Sequence, residues 1–317
     1  DYKVVKRGQL VVGFPIDEGV LYVQKAADEG IMSPAYNVWD IDSKVIDPDF
    51  LELCLHSPQS MQYYKNKLRG TTARRRSIPV SDLEALKIRL PDMQTQHEIV
   101  AIIKKAEAII VDRQEQLDYF EQLVKSRFVE LFGDPLNNDK GWQKVLITEV
   151  CHAIFGGGTP SKSHPEYFTG SIPWVSPKDM KSSLINGSID HITEEAIAHS
   201  TTNLVPANSV LMVIRSGILK HTLPVAINGL PVTINQDMKA FVPNDMVKTA
   251  FLMYYFKAIE NDVLSGVRGV TADNIDFKAF QKRTIIVPPL VLQDQFSAFV
   301  KQVDKSKYCS QKFEELC

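Results

Sequence analysis

The chain has 317 residues, 44% hydrophobic and 23% charged, which is enough for two domains with apolar cores. Its formal net charge of −2 excludes a uniformly basic nucleic-acid binder, so any nucleic-acid contact must depend on local patches. No apolar run is long enough to span a membrane, and the four cysteines are scattered without a CxxC pair. These features argue against a transmembrane helix and a zinc site, and they favour a reducing cytoplasm.

The first 90 residues are predicted to mix short strands and helices. Apolar, β-branched runs predict strands at Val4–Val12 and Leu21–Gln24, and a helical pattern follows at Pro48–Arg69. Residues 78–90 are predicted to close this unit, with a strand at Leu86–Leu90.

A long helix is predicted from about Met93 to Phe132. Asp92 is a plausible N-cap, and Gly133 lies where a C-terminal glycine is favoured. The apolar positions recur mainly every three or four residues, as in a coiled-coil seam: Ile99, Ile103, Ala106, Ile110, Leu117, Phe120, Val124, Phe128 and Leu131. A helix of about 38 residues would extend roughly 57 Å, which favours a spacer. The alternative is a long helix lying on the surface of one domain.

A second mixed globular unit is predicted over residues 142–287, after a polar turn at Asn137–Gly141. It is rich in short strands and turns, and it ends in a predicted strand at Thr284–Val287. A second helix follows, carrying Phe296, Val300 and Val303 on one face.

A repeat connects the two halves. Pro91 and Pro288, Gln96 and Gln293, and Lys104 and Lys301 are each 197 residues apart (288 − 91, 293 − 96, 301 − 104). Weaker matches extend upstream, where Val4–Val12 resembles 204–212 and Arg69–Ala73 resembles 268–272. No residues before position 1 match residues 142–201, so the first copy is expected to lack roughly its first 60 residues (201 − 142). The chain is therefore expected to be a fragment with pseudo-twofold symmetry.

These features resemble the DNA-specificity subunit of type I restriction-modification systems over nearly the whole chain. Four motifs carry the resemblance: Pro288–Gln293 (more loosely Pro91–Gln96), the helix end Leu131–Pro135, the segment Gly156–Ser161, and Tyr167–Val175. The resemblance implies an α+β fold, with two target-recognition domains joined by long, antiparallel, coiled-coil-like spacer helices. Residues 1–90 would be a partial first domain, 91–136 the central spacer helix, 137–287 the second domain, and 288–317 the start of the second spacer helix.

The most basic stretch of the chain lies at Lys65–Arg89. It holds eight lysines and arginines against Asp82 and Glu84, a local net charge of +6 (8 − 2). Basic and hydroxyl side chains in a loop suit phosphate contact, and arginine also reads guanine edges. The candidates for DNA binding here are Arg69, Thr71, Arg74, Arg75 and Arg76. The alternative is a solvated run of charges.

Further DNA-binding candidates in the second unit are Lys178, Arg215, Lys220 and Arg268. Arg215 follows the apolar run Val210–Ile214, so a loop position is expected. The alternative is that these are ordinary surface charges. Trp174 is expected to pack in the core rather than stack on a base.

The sequence offers little support for chemistry within the chain itself. The segment Gly156–Ser163 imitates a phosphate-binding loop, but Ser161 stands where the second glycine is required, so a turn is favoured. There is no motif for amino-methyl transfer or S-adenosylmethionine binding, and the seven histidines show no metal-ligand spacing.

The predicted function is therefore sequence-specific recognition of double-stranded DNA without catalysis. By resemblance, the chain would read a bipartite, asymmetric site and position two modification (methyltransferase) subunits and the restriction (endonuclease/translocase) subunits. S-adenosylmethionine, ATP and Mg would be bound by those partners, not by this chain. Two alternatives remain: a coiled-coil scaffold whose globular domains bind protein, and a restriction enzyme that acts alone.

Overall fold

A computed structural model describes residues 2–68, 76–267 and 273–314, with side chains as far as residue 307. The chain divides into two compact units, Asp1–Gln114 and Glu115–Leu316. Within the described ranges, no helix is both long enough and apolar enough to cross a membrane.

Unit 1 holds two small sheets and three short helices, followed by the first part of a long helix. Its strands are β1 (Lys3–Lys6), β2 (Leu10–Val12), β3 (Leu21–Val23), β4 (Glu29–Met32) and β5 (Asn37–Trp39). Its helices are α1 (Pro48–His56), α2 (Pro58–Lys67), α3 (Val80–Glu84) and the beginning of α4 (Met93–Phe132). The core lies between the β3-β2-β5 sheet and helices α1 and α2, where Leu10, Leu21, Leu55 and Tyr64 are buried together.

Unit 2 begins with the last part of α4 and is built around a five-stranded sheet. Its strands are β6 (Gln143–Leu146), β7 (Cys151–Gly156), β8 (Ile172–Val175), β9 (Leu184–Ile185), β10 (His191–Ile192), β11 (Val210–Val213), β12 (Val225–Asn228), β13 (Thr233–Ile234), β14 (Met238–Pro243) and β15 (Thr284–Val287). Its remaining helices are α5 (Glu194–Ala198), α6 (Thr249–Ala258), α7 (Glu260–Ser265), α8 (Phe277–Gln281) and α9 (Leu290–Glu314). The main sheet has the order β7-β14-β11-β12-β9, and strand β11 at its centre is fully buried.

The predicted repeat is a structural repeat. Strand β2 lies between β3 and β5 and is antiparallel to both, just as β11 lies between β12 and β14. The turn before each central strand has a residue at positive φ, Gly8 at 86° and Asn208 at 63°. Glycine and asparagine tolerate this conformation better than other residues. The weak sequence match between positions 8 and 208, which are 200 residues apart (208 − 8), therefore reflects the same turn in both copies. Among the described residues, edge strands β7 and β9 have no counterpart in the three-stranded sheet of unit 1.

A buried glutamine explains why the motif before each long helix is repeated. Gln96 is fully buried, and its side-chain oxygen accepts a hydrogen bond from the Asp47 backbone N–H at 2.8 Å. Its side-chain nitrogen donates to the carbonyls of Val45 at 3.3 Å and Pro91 at 2.9 Å. Asp47 is the N-cap of α1, so Gln96 joins the start of α1 to the start of α4.

The second copy makes the same three bonds. Gln293 is fully buried and accepts from the Lys248 N–H at 2.8 Å, and Lys248 is the N-cap of α6. It donates to the carbonyls of Met246 at 3.2 Å and Pro288 at 2.8 Å. Because a buried backbone group without a partner is costly, one amide that satisfies three such groups fixes the relative placement of three chain segments.

The prediction of the first long helix is confirmed, including its ends. Helix α4 spans Met93–Phe132, Asp92 Oδ1 accepts from the Thr95 N–H at 2.8 Å, and Gly133 has a φ of 76°. Its predicted apolar seam is divided. Val124 and Phe128 are buried within unit 2, whereas Ile99, Ile103 and Ile110 in unit 1 remain 37%, 37% and 52% exposed.

Within unit 2, the end of α4 packs against the beginning of α9. The rings of Phe128 and Phe132 each lie 5.5 Å from the ring of Phe296, and Glu121 lies 3.7 Å from Lys307. Contacts that move backwards along α4 therefore move forwards along α9, so these two segments are antiparallel. Phe296, Val300 and Val303, the apolar residues of the predicted second helix, are buried.

Three predictions for unit 1 were wrong. The strand predicted at Val4–Val12 is two strands, β1 and β2, which lie in different sheets because the chain turns at Gly8 between them. The helix predicted at Pro48–Arg69 is two helices, because Ser57 is extended and Pro58 begins α2. The strand predicted at 86–90 is absent from these described residues. Its counterpart β15 exists because it pairs with β6, and a strand cannot form without a partner.

The glutamine contacts predict a large loss of stability on substitution. Gln293→Met conserves length but leaves one N–H and two carbonyls without their partner, so the free energy of unfolding should fall by about 3 kcal/mol. Gln295→Met, at an exposed position of the same helix, should change it by less than about 0.5 kcal/mol. Urea denaturation followed by circular dichroism compares the two variants. Equal losses would show that the buried amide has no special role.

Candidate nucleic-acid interface

The loop after the central strand of unit 2 is tied to the segment that precedes α8. Arg215 forms an antiparallel bridge with Asn274, and the Ser216 N–H donates to the carbonyl of Asp273 at 3.1 Å. In unit 1 the corresponding bond runs from the Ile16 N–H to the carbonyl of Arg76 at 3.2 Å. In each copy, therefore, the loop after the central strand is hydrogen-bonded to a later segment. That segment follows residues 69–75 in unit 1 and residues 268–272 in unit 2.

Carboxylates orient two of the predicted DNA-binding side chains. Arg215 Nε lies 2.6 Å from Asp237 Oδ1, and the guanidinium keeps about half of its surface exposed. Lys220 Nζ lies 3.8 Å from Asp273 Oδ2 and is more exposed. A guanidinium held at Nε still presents its two terminal nitrogens, which are the atoms that make bidentate contacts.

A wide, open cavity of about 870 Å³ extends this surface. Lys239, Asn274, Phe277 and Lys278 line it, and the Lys239 ammonium lies 4.9 Å from the centre of the Phe277 ring. Lys278 and Asn274 are exposed, and Lys278 has no ion pair among the residues that the structure describes. We call Arg215, Lys220, Lys239, Asn274 and Lys278 the basic patch.

Sequence reasoning found Arg215 and Lys220 but missed the other members of the basic patch. A usable signal was present, because Asn274 and Lys278 follow closely after the repeated segment 268–272. Lys239 lies in β14 between the buried Met238 and Ala240, so strand alternation places it on the opposite face.

Lys178 is not among the residues lining the cavity of the basic patch. Its ammonium lies 2.6 Å from Asp190, and this hydrogen bond raises the pKa of Lys178. Lys178 follows strand β8 in a turn where the Asp179 carboxylate accepts from the Ser176 N–H at 2.8 Å. Trp174 in that strand donates through Nε1 to the carbonyl of Gly158 at 3.0 Å and packs against Phe168, in agreement with its predicted structural role.

In unit 1, Arg76 is paired inside the fold. Its guanidinium contacts Asp17 at 2.6 Å and also Glu18, and the Asp17 side chain is only 6% exposed. The other candidates of that stretch, Arg69, Thr71, Arg74 and Arg75, lie outside the described residues, as does Arg268 in the second copy.

The glycine-rich segment after β7 is a site of close backbone packing. A side chain at Gly157 would collide with the backbone carbonyl of Asn235, and one at Gly158 would collide with the backbone of Thr202. The Gly158 N–H donates to the carbonyl of Ile234 at 3.0 Å. The glycines are therefore explained by close packing against Asn235 and Thr202, and the turn predicted for this segment is confined to Lys162 and Ser163.

This packing predicts that Gly157→Ala is severe. Because backbone atoms block the new methyl group, unit 2 should lose at least about 3 kcal/mol of stability. Gly187 faces open space, so Gly187→Ala should change stability by less than about 0.5 kcal/mol. Thermal or urea unfolding measures both. A Gly157→Ala protein of normal stability would contradict the packing account.

The buried pair in unit 1 predicts a structural cost for losing Arg76. Arg76→Ala leaves the Asp17 carboxylate buried without its cation, so unit 1 should lose about 3 kcal/mol. Arg7 pairs with Asp28 at the surface, where Arg7→Ala should cost less than about 1 kcal/mol. Urea unfolding tests the difference, and recovery of stability in the Arg76→Ala, Asp17→Asn double variant identifies the buried charge as the cause.

Comparison with known proteins relates this geometry to a family. The family model "Type I restriction modification DNA specificity domain" matches residues 139–315. The specificity subunit of type I restriction enzyme EcoR124I/EcoR124II from Escherichia coli is 33% identical over 71% of this chain. The chain spans 57% of the length of that relative.

Two solved structures show a similar fold. The type I restriction-modification S subunit from M. genitalium has a TM-score of 0.60 at 13% identity, over 98% of this chain and 80% of its own. A structure described as "Structural basis underlying complex assembly and conformational transition of the type I R-M system" has a TM-score of 0.60 at 22% identity, over 99% of this chain and 79% of its own. The family match covers more than half of the chain and includes every strand of the five-stranded sheet. The chain therefore belongs to the type I restriction modification DNA specificity domain family.

Proposed function

We propose that this chain recognises DNA sequence as a non-catalytic part of a restriction-modification complex. The basic patch is the observation that carries the proposal. It combines flexible lysines, which suit phosphates, with an oriented arginine and an exposed asparagine, which suit base edges. Membership of the family supports the same reading.

The internal repeat supports a bipartite target. Two copies of one scaffold, joined through a continuous helix, suit two half-sites that differ in sequence. The poorly matching surfaces of the copies would give each unit its own half-site, and the spacer helices would set the distance between them. We propose that these two helices, α4 and α9, pair along their length, and that the antiparallel packing at the beginning of α9 is the first part of this pairing.

Partner proteins would supply the chemistry. Helix α4 carries an unusual number of exposed apolar residues in unit 1, namely Ile99, Ile102, Ile103, Ile109, Ile110 and Val111. Exposed apolar stretches of this kind are typical of protein interfaces. We propose that modification and restriction subunits dock on the spacer helices, bring S-adenosylmethionine, ATP and Mg, and act together with this chain in the cytoplasm.

The same isoleucines favour a second candidate, a scaffold that binds protein only. Titration of duplex DNA of random sequence at two salt concentrations separates the two proposals. A DNA reader should bind at low salt, and the affinity should fall steeply as salt rises. If the chain does not bind duplex DNA at low salt, the protein-binding scaffold is the proposal that remains. Mapping methylated sites in a host that carries the complete system would then give the recognised sequence.

The basic patch predicts a specific change in salt dependence. The Lys239→Gln, Lys278→Gln double variant should reduce the slope of log affinity against log salt by up to about 1.8, or about 0.9 per lost phosphate contact. Lys305→Gln, at an exposed position of α9 outside the patch, is the matched control and should leave the slope unchanged. An equal slope for the unaltered chain, the double variant and Lys305→Gln would show that the basic patch does not contact DNA.

A test of the 69–76 stretch requires Arg76 to be left in place. Arg74→Ala with Arg75→Ala addresses DNA contact, whereas Arg76→Ala is also expected to destabilise unit 1 through Asp17. A reduced slope with unchanged stability would assign Arg74 and Arg75 to the DNA backbone. An unchanged slope would make this stretch a solvated charge run.

A further inference from the structure

A second, smaller cavity in unit 2 is rich in lysines. It has a volume of about 260 Å³ and lies where α6 and α9 meet the last part of α4 and the residues around 181–183 and 222–225. The charged side chains that line it are Lys125, Lys181, Lys257, Lys307, Glu121 and Glu260, a net charge of +2 (4 − 2). None of these residues belongs to the basic patch.

The two carboxylates leave most of these lysines without a partner. Glu121 lies 3.7 Å from Lys307, and Glu260 accepts a hydrogen bond from the Leu223 N–H at 2.7 Å. Lys125, Lys181 and Lys257 form no ion pair within the described part of the chain. The cavity therefore holds more positive charge than the fold itself neutralises.

Lys257 shows the consequence most clearly. Burial lowers the pKa of Lys257, and the neighbouring Lys307 and Lys125 lower it further, against the opposing effect of Glu121 and Glu260. Its ammonium lies 5.4 Å from the centre of the Tyr254 ring. Burial raises the pKa of the nearby Asp304 carboxyl group, whereas Lys307 and Lys257 lower it, so this carboxylate offsets part of the positive charge of these two lysines. A bound anion would supply the compensation that the protein lacks.

The first copy of the repeat satisfies the corresponding positions internally. His56 occupies the place of Lys257, 201 positions earlier (257 − 56), and its ring nitrogens lie 2.9 and 3.1 Å from the carbonyls of Glu52 and Gly19. Nearby, Lys25 is paired with Asp49 at 2.5 Å and with Glu52 at 2.8 Å. The unpaired lysines are therefore particular to the second copy and are not required by the shared scaffold.

The lining also indicates what kind of anion fits. Ser183 and Thr222 add hydroxyl groups, and Met180, Pro224 and Val225 form an apolar wall. Ammonium and hydroxyl donors around one space match the several acceptor oxygens of a phosphate group. The volume is just below the usual range for ligand pockets, which limits the ligand to a small molecule.

We propose that this cavity binds a small phosphate-bearing anion through Lys257, Lys125 and Lys181. The proposal does not depend on DNA recognition, because it concerns a different group of residues. Binding would hold the end of α4 against α6, since the lysines belong to both helices and to the segment around residue 181.

Inorganic pyrophosphate added to the full chain tests the proposal. Calorimetry should detect binding, the unfolding temperature should rise, and the pKa of Lys257 measured by NMR should increase. Lys257→Gln should weaken pyrophosphate binding by at least about tenfold, the loss expected for one charge-assisted hydrogen bond. Lys282→Gln, an exposed lysine that does not line the cavity, should bind as the unaltered chain does.

Each outcome decides the question. Equal weakening by Lys257→Gln and Lys282→Gln, or no binding of pyrophosphate at all, would overturn the proposal. A response to duplex DNA but not to pyrophosphate would also overturn it, because the surface would then be part of the DNA interface. If Lys257→Gln does not fold, the Lys125→Gln, Lys181→Gln double variant gives the same test at exposed positions.

Discussion

One buried amide in each copy of the repeat holds the scaffold together. Gln96 and Gln293 each join the carbonyl of a loop, the N-cap of a helix and the proline turn before a long helix. A glutamine side chain supplies two N–H donors and an acceptor on one uncharged group, and asparagine, the other residue with such a group, is shorter by one methylene. The placement of the long helix on its globular unit depends on these three bonds.

Around this constant element the two copies differ in the side chains of the loop after the central strand and of the cavity beside the following helix. The loop after the central strand presents an oriented arginine in unit 2 and, in unit 1, a buried aspartate that retains Arg76. The cavity beside α6 presents unpaired lysines, whereas the ring nitrogens of the corresponding His56 in unit 1 lie within hydrogen-bond distance of the Glu52 and Gly19 carbonyls. The division is physically reasonable, because hydrogen bonds that fix the backbone tolerate little change and solvent-facing positions tolerate much.

The sequence predicted the elements whose signals are local. Helix α4 was found with both ends because its long apolar period lies within it, and Asp92 and Gly133 lie directly beside its two ends. The repeat was found because the turn and helix signals recur together. The strand predicted at 86–90 was wrong for the opposite reason. A strand needs a partner strand from another part of the chain, as β15 has in β6, and the residues at 86–90 carry no signal of whether such a partner is present.

The candidate site was only partly predictable for the same reason. Arg215 was found because it follows an apolar strand closely, and Lys220 lies five residues farther along the chain (220 − 215). Lys239, Asn274 and Lys278 join them through strand pairing and chain closure, which bring together residues up to 63 positions apart (278 − 215). Conversely, three adjacent arginines suggested a single function, and only the fold shows that Arg76 is held by a carboxylate 59 positions away.

The anchoring ion pair has opposite polarity in the two copies. In unit 1 the cation, Arg76, belongs to the later segment and the anions Asp17 and Glu18 to the loop, whereas in unit 2 the anion Asp273 belongs to the later segment and the cation Lys220 to the loop. Duplicated gene segments tend to recombine with one another. A crossover between the loop and the later segment would place Asp17 and Glu18 opposite Asp273, with three carboxylates together. Only exchanges that move each loop together with its own anchoring segment keep these charges matched.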